Sequence, residues 1–355
     1  MKVAVLHCYS AKNAGDGLLV DETLSLIRDA FGSTVKIVMA ASHPMTFDNL
    51  DVEIVDSGVS WSGYSSKYLR FLRSLDSFDL VVAVGGGYLR GGFLVETVKT
   101  VLVHGPQLTA AARTRAPSMY LPQSVGPAGS VGKRLLSTRM RKIDSFYVRD
   151  DRSLRDFGIA GVSRSSDLAL LQMIKLQRTR SDVFATPVLS IRAVRGKISP
   201  LVLDLARQLD VFDGYIQSAT GGNDDTDAMT SVGPREILSR PQLMSDEGQP
   251  RVVIAVRLHA ALMAIRAGHF VIHLAYERKG FGAFNDLGLE QYVHNVNMFE
   301  PVRVIRQVKR LIESPEERAR YRSTVQSAAE RLAPIRQHLL QEMRKMGDFS
   351  GVGIE

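Results

Sequence analysis

Short apolar runs rich in Val, Ile and Leu alternate with helix-length segments through the first half of the chain, a pattern that restricts it to parallel strands joined by crossover helices. Strands are expected near residues 2–8, 35–40, 52–56, 79–84, 117–121 and 144–148. Helical spacing fills 17–31, 62–76, 95–114 and 129–142, and turn chemistry stands at the strand exits in Asn13-Ala14-Gly15, Gly85-Gly86-Gly87 and Pro122. That is an open α/β sheet. At 355 residues the chain exceeds what one hydrophobic core usually organises, so a second unit is expected.

The polar stretch from Gln172 to Asp182 has no clean period and reads as a hinge. Alternation resumes at Thr186, with strands expected at 186–191, 211–217, 251–256 and 269–274, and helices at 199–209, 234–240 and 258–267, then further helices to 312. Residues 1–175 therefore read as an N-terminal Rossmann-like domain and 183–313 as a smaller C-terminal one. From Pro315 to Met346 the chain reads as one or two helices heavy in Arg, Glu, Gln and Ala, with Pro334 expected to kink or stop them. The segment 314–355 is expected to pack back across the first domain or to lie on a membrane surface.

Composition narrows the function classes. Apolar residues make up 45% of the chain and charged residues 23%, which excludes wholesale disorder. No run of roughly 18 apolar residues is uninterrupted and no signal-peptide pattern opens the chain, so a cytoplasmic protein is expected. The single cysteine, Cys8, lies inside the first apolar run and reads as a small hydrophobe; one cysteine also forbids an intrachain disulfide. The formal charge of +8 points to an anionic partner. The basic residues are dispersed, with no zinc-ligand spacing, RNP-type motif or basic region followed by heptads, which argues against nucleic acid. An anionic small molecule is the expected partner, with peripheral contact at the inner face of an anionic membrane as a further expectation. No nucleophile elbow, HExxH or paired-cysteine spacing is present, and Asp224-Asp225-Thr226-Asp227 lacks an EF-hand continuation and reads as a loop or helix cap. Neither a metal nor a resident cofactor is expected.

Ligands of a doubly wound sheet sit outside the carboxyl ends of its strands, so the loops after each apolar run are searched first. Asn13 and Asp16 stand at the entrance to the first helix, where Asp16 is either an N-terminal cap or a proton acceptor toward a hydroxyl substrate. Gly85-Gly86-Gly87-Tyr88-Leu89-Arg90 follows the strand DLVVAV, and its glycines allow either a tight turn or an anion-accepting run of amides. It matches neither a dinucleotide fingerprint nor a P-loop. Arg149 ends a strand, where its planar fork suits a carboxylate or phosphate, the alternative being a salt bridge to Asp150 or Asp151. Arg257 and His259 lie one residue apart where a strand turns into an apolar helix, and Lys279 follows the next strand. With Arg149 they would form a cationic cluster that is expensive unless an anion fills it. His273, inside a strand, reads as structural.

In this order Asn13-Ala14-Gly15-Asp16, Gly85-Gly86-Gly87, Gln123-Ser124-Val125-Gly126-Pro127, Val148-Arg149-Asp150-Asp151-Arg152-Ser153, Ser166-Asp167-Leu168-Ala169, Arg257-Leu258-His259-Ala260 and Tyr276-Glu277-Arg278-Lys279-Gly280 resemble the polysaccharide pyruvyl transferase family. The resemblance implies two Rossmann-like domains facing a central cleft, similar to GT-B glycosyltransferases. It also implies transfer of the three-carbon unit of phosphoenolpyruvate, a co-substrate, to a sugar of a cell-surface polysaccharide or its precursor, giving a pyruvate ketal and free phosphate. The family's basic donor positions fall on Arg149, His259 and Lys279, with Arg257 beside them. Gly85, Gly86, Gly87, Gln123 and Arg192 are expected on the donor side, and Asn13, Asp16 and Arg90 on the side of the sugar acceptor, a lipid-linked sugar being one option. His259 is the candidate acid or phosphate partner, and Asp16 the candidate base. Two other expectations stay open: a glycosyltransferase using a nucleotide-sugar donor, and a non-catalytic anion-binding protein of envelope biosynthesis.

Overall fold

The predicted alternation is realised twice in the computed structural model, which describes residues 1–92, 94–171, 182–194, 196–219, 224–244 and 248–349. Of the expected hinge, residues 172–181 lie outside the described residues. Contacts divide the chain into two units. Met1–Ala11, Asp16–Leu168 and the chain from Pro334 on form the first; Lys12–Gly15 and Ala169–Ala333 form the second.

In the first unit β1 (Lys2–Cys8), β2 (Lys36–Ala41), β3 (Glu53–Asp56), β4 (Leu80–Ala83), β5 (Gly86–Gly91), β6 (Ser118–Ala128), β7 (Ser145–Val148) and β8 (Val162–Arg164) make one sheet. Its order is β3-β2-β1-β4-β6-β7-β8, with β5 alongside β6, and every pair is parallel. Val3, Ala4, Val5 and Leu6 are wholly buried, as a strand covered by helices on both faces requires. Tyr68, Phe71, Tyr120 and Phe146 fill the core beside them. The order reverses direction between β1 and β4, which places the switch point at the exits of Cys8 and Val84.

Two sequence readings of this unit are corrected. Pro122, read as a turn, sits inside β6. There β6 changes neighbour, from Val81–Ala83 of β4 to Gly86–Gly91 of β5, and its register against β7 shifts between Tyr120 and Gln123. A missing N–H is tolerated at such an irregularity. The glycine run is likewise no open loop: Gly86–Gly91 is a strand, its backbone paired to Gln123–Ala128.

The second unit repeats the plan. β9 (Val188–Ser190), β10 (Asp213–Tyr215), β11 (Ile237–Leu238), β12 (Val252–Ala255), β13 (Phe270–Ala275) and β14 (Val293–Asn295) form a parallel sheet in the order β11-β10-β9-β12-β13-β14. Its switch point lies between β9 and β12, where Val256 N donates to Ser190 O at 2.8 Å. The helix expected at 234–240 is instead a two-residue strand followed by a helix at Arg240–Met244, because Gly233 adopts a φ of +65° and Pro234 follows it.

Pro334 neither stops nor divides the last helix, which runs Pro315–Phe349. Packing overrides the proline: Leu332, Leu339, Leu340 and Met343 are all buried. Beyond Pro334 the helix lies against the first unit, where Arg344 donates to the Asp29 and Ala30 carbonyls at 2.7 and 3.2 Å and Gly347 packs on Phe31 and Met1. Its apolar stripe is occupied by the protein itself, as the first of the two expectations for this segment has it. Among the described residues no helix is long and apolar enough to cross a membrane.

Candidate functional site

Each switch point gathers polar side chains. In the first unit Arg149 follows β7, tied by its own N–H to Gln123 O at 2.9 Å. Its guanidinium is buried, donating from Nε to Ser124 Oγ at 2.9 Å and from Nη1 to Asp167 at 2.6 Å. The carboxylate partner is thus Asp167, and not Asp150 or Asp151 as the sequence suggested. Asp150 caps the next helix by accepting from Ser153 N at 2.8 Å, and Asp151 pairs with Arg164. A Cβ on Gly87 would lie 3.2 Å from Arg149 Nη2 and equally 3.2 Å from Arg90 Nη2. Two guanidinium groups therefore converge on one glycine, and Arg90, read as an acceptor-side residue, stands beside the donor-side Arg149.

Gln123 is wholly buried and turns inward, Nε2 donating to Val84 O at 2.6 Å and Tyr88 Oη at 2.8 Å, while its Oε1 accepts no hydrogen bond. Gly85 packs under Leu168 and the Pro122 carbonyl, and Gly86 under Tyr88. Beneath them His7, at a φ of +69°, stacks on Tyr88 and meets His104 and Tyr120. Burial, aided by His104, holds the His7 imidazole well below its usual range, and burial takes His104 to about 3, so both rings are neutral. Cys8 is buried and its thiol is pushed upward by desolvation, which suits a small hydrophobe.

In the second unit Arg257 is the N-cap of helix Leu258–Arg266, its backbone still extended at φ −86° and ψ 128°. Its guanidinium grips the buried Asp225 through two nitrogens, Nη2 to Oδ1 at 2.8 Å. Burial lifts the Asp225 carboxyl above the usual range, against the opposing pull of Arg257 and, more weakly, Arg192. Arg192, just past β9, lies over the Tyr276 ring at 5.0 Å and donates to its hydroxyl. Lys279 pairs with Glu277 at 3.0 Å. The three cations expected to await an anion, Arg149, Arg257 and Lys279, are each already matched by one carboxylate, which makes each an oriented donor rather than an uncompensated charge.

His259 occupies the first turn of the same helix, against Gly15. A Cβ at position 15 would fall 2.2 Å from His259 Nδ1 and 2.7 Å from Cγ. Asn13 Oδ1 accepts from Gly15 N at 3.2 Å, and Asn13 bridges Ser218 through the backbone. Asn13 thereby fills the capping role offered to Asp16, which sits in the first turn of helix Ala14–Phe31. Around this edge the hydroxyls of Ser190 and Ser218 and Oε1 of Gln217 are buried and make no hydrogen bond. Such atoms are rare in native interiors unless a ligand or water completes them. His273 is structural as read: Nδ1 meets the Ala255 carbonyl at 2.8 Å, its ring stacks on Phe284, and burial lowers it to about 4.

Sequence reasoning missed Gly15, Asp167, Asp225, Ser190, Gln217 and Ser218 as site residues. Gly15 and Asp167 lay inside quoted motifs and Asp225 inside the Asp224-Asp225-Thr226-Asp227 run; the other three carry no local signal. Among the described residues no group of three or more His, Cys, Asp or Glu could hold a metal.

The fold is shared with several solved structures of low sequence identity. A crystal structure of Anabaena HepE in complex with UDP and glucose superposes with a TM-score of 0.60 at 13% identity, covering 97% of this chain and 100% of that one. The UDP-GlcNAc 2-epimerase of Neisseria meningitidis gives 0.57 at 14% identity, covering 97% and 100%, and S. aureus MnaA 0.56 at 9%, covering 97% and 96%. At such identities the likeness shows the α/β architecture alone. No curated protein is significantly similar in sequence. The model of the polysaccharide pyruvyl transferases matches residues 13–278, from the Asn13 turn to the helix that carries Lys279, and the chain belongs to that family of transferases.

Proposed function

We propose that the protein transfers the carboxyvinyl unit of phosphoenolpyruvate to two hydroxyls of one sugar in a cell-surface polysaccharide or its precursor, closing a pyruvate ketal and releasing phosphate. The observation that carries this reading is the convergence of Arg90 and Arg149 on Gly87, with Arg149 fixed by Asp167 and Ser124. Phosphoenolpyruvate presents a carboxylate and a phosphate on a three-carbon frame, so its site needs fixed cationic donors rather than a wide apolar pocket. Arg257, Arg192 and Lys279, each at a strand exit of the second unit, meet the same need.

The chemistry balances without a metal or redox partner. A proton adds to the methylene carbon, which becomes a methyl group, and the adjacent carbon becomes an oxocarbenium-like electrophile. One sugar hydroxyl adds there; the bond from carbon to the bridging oxygen breaks, phosphate leaves with that oxygen, and a second hydroxyl closes the ketal. The two hydroxyl protons replace the one consumed at carbon and protonate the phosphate. His259 is the proposed acid or phosphate partner, since an imidazole changes charge near neutral pH. Asp16 is the proposed base toward the acceptor.

Thermal melting with phosphoenolpyruvate against UDP-, CMP- and GDP-sugars tests the donor, because a ligand of the native state raises stability by mass action. A shift with phosphoenolpyruvate that Arg149→Ala or Lys279→Ala abolishes supports the proposal. A shift with a nucleotide sugar alone would replace it with the glycosyltransferase reading, and binding without turnover on any acceptor with that of an anion-binding protein.

A further inference from the structure

The first unit holds a cavity of about 760 Å3 that neither the sheet exits nor the arginine pair requires. That is within the range of ligand pockets, roughly 300–1,000 Å3. Leucines make up much of its wall: Leu69 and Leu72 on helix Ser66–Arg73, Leu89 on β5, Leu108 on helix Gly105–Ala111, and Leu135 and Leu136 on helix Ser130–Met140. One wall includes a π-helical turn, Thr100–His104, a form that concentrates at functional sites. It is fastened to β5 by Thr100 Oγ1, which donates to the Tyr88 carbonyl at 2.9 Å.

Exposed apolar side chains occur on or next in sequence to the lining residues Thr97, Val101, Gly132 and Leu135. Val101 is 59% exposed, Leu135 52% and Val131 75%, with Leu102 and Val98 exposed beside them. The hairpin Val59–Ser60 and Gly63–Tyr64 adjoins this rim, its Tyr64 hydroxyl donating to the Leu102 carbonyl at 2.6 Å, and carries a fully exposed Trp61 at its tip. Arg73, Arg113 and Arg139 line the same cavity. Among the described residues that line it, Asp76 is the one acidic side chain, and its carboxylate is engaged by Thr114 and the Arg115 N–H. Exposed aromatic and aliphatic side chains beside basic ones suit the boundary of an anionic bilayer. Inward, the cavity reaches Arg90, whose guanidinium meets Gly87 next to Arg149.

We propose that this cavity holds the hydrocarbon chain of a phosphate-bearing lipid, and that the rim from Trp61 to Val131 docks on the membrane that carries it. The chain lies among the leucines, its phosphate against the arginines, and the sugar it bears is directed toward Arg90. The acceptor is then lipid-linked, a step that rests on the pyruvyl-transfer reading, whereas lipid binding itself does not.

Trp61 is the only tryptophan of the chain and reports directly. Its emission is followed on adding phosphatidylcholine vesicles doped with polyprenyl phosphate, or with phosphatidylglycerol at equal surface charge. The expected result is a saturable blue shift with polyprenyl phosphate at least tenfold tighter than with phosphatidylglycerol. It is weakened about 25-fold by Arg73→Ala with Arg113→Ala, at about fivefold per basic residue, and lost in Gly132→Phe, which fills the cavity. Equal responses to the two lipids, no shift with either, or an undiminished shift in Gly132→Phe would each overturn the proposal. Melting with phosphoenolpyruvate on the same variants separates the two claims. A retained donor shift beside a failed lipid response removes the lipid site alone, and the reverse removes the donor alone.

Discussion

Substituting Gly15 by alanine should injure a residue more than two hundred positions away. The added methyl would stand 2.2 Å from His259 Nδ1 and 3.0 Å from its Cβ, whereas ordinary contact begins near 3.4 Å. The imidazole, rooted in the first turn of a helix whose next residues, Ala260 and Ala261, are buried, must retreat by about 1 Å, or the Asn13 turn must open. Overpacking of this kind costs about 1–3 kcal/mol of stability. In the acid role proposed for His259, a displacement of about 1 Å lowers turnover by as much as ~100-fold. Denaturant melts measure the first effect and phosphate release from phosphoenolpyruvate in the presence of acceptor the second. Gly129→Ala is the control, since a Cβ there meets nothing within 4 Å. In a double-mutant cycle, Gly15→Ala should add little to the rate loss of His259→Ala if both act through one ring. Near wild-type stability and turnover in Gly15→Ala would refute the reasoning, as would full additivity.

Three further outcomes follow from the buried groups. Asp167→Asn leaves Arg149 buried without its charge partner, and chemical denaturation should show a loss of about 3–5 kcal/mol; an unchanged midpoint would show that Ser124 and solvent suffice. His273 has a folded pKa near 4, below its unfolded 6.5. The unfolded chain therefore binds the extra proton first, so its contribution is full above pH 6.5 and is lost as pH falls toward 4, by roughly 3 kcal/mol. Urea melts across that window should be flatter in His273→Gln, and an identical slope would exclude this histidine as the cause. Cys8, its thiol raised by burial, should resist alkylation in the native protein at pH 8 and react at once in denaturant; ready modification of folded protein would contradict the buried strand.

The strand exits were legible because a buried parallel strand is a continuous apolar run, so its last residue marks the crevice. Arg149, Arg257 and Lys279 were singled out that way. Their partners were not, since Asp167 lies 18 residues from Arg149 and Asp225 lies 32 from Arg257, and a carboxylate at such distance has no periodicity tying it to its arginine. For the same reason the carboxylates that match Arg149 and Arg257 were absent from the cationic cluster expected from sequence. Pro122 and the Gly86–Gly91 run were misread because local turn chemistry outweighed pairing with a neighbour unseen in the sequence. Pro334 was misjudged similarly, the helix being held by buried leucines on both sides. The apolar cavity left no trace, because leucines that line a void follow the same helical spacing as leucines that fill a core.

The central claim is that the bond broken in phosphoenolpyruvate joins carbon to the bridging oxygen. Phosphoenolpyruvate carrying heavy oxygen at that bridge, turned over with a sugar acceptor, locates the cleavage by mass spectrometry of the products. The account predicts that the label leaves with phosphate and that the acceptor gains the mass of one pyruvate less one water. Label retained in free pyruvate, with the acceptor phosphorylated or unchanged, would contradict it.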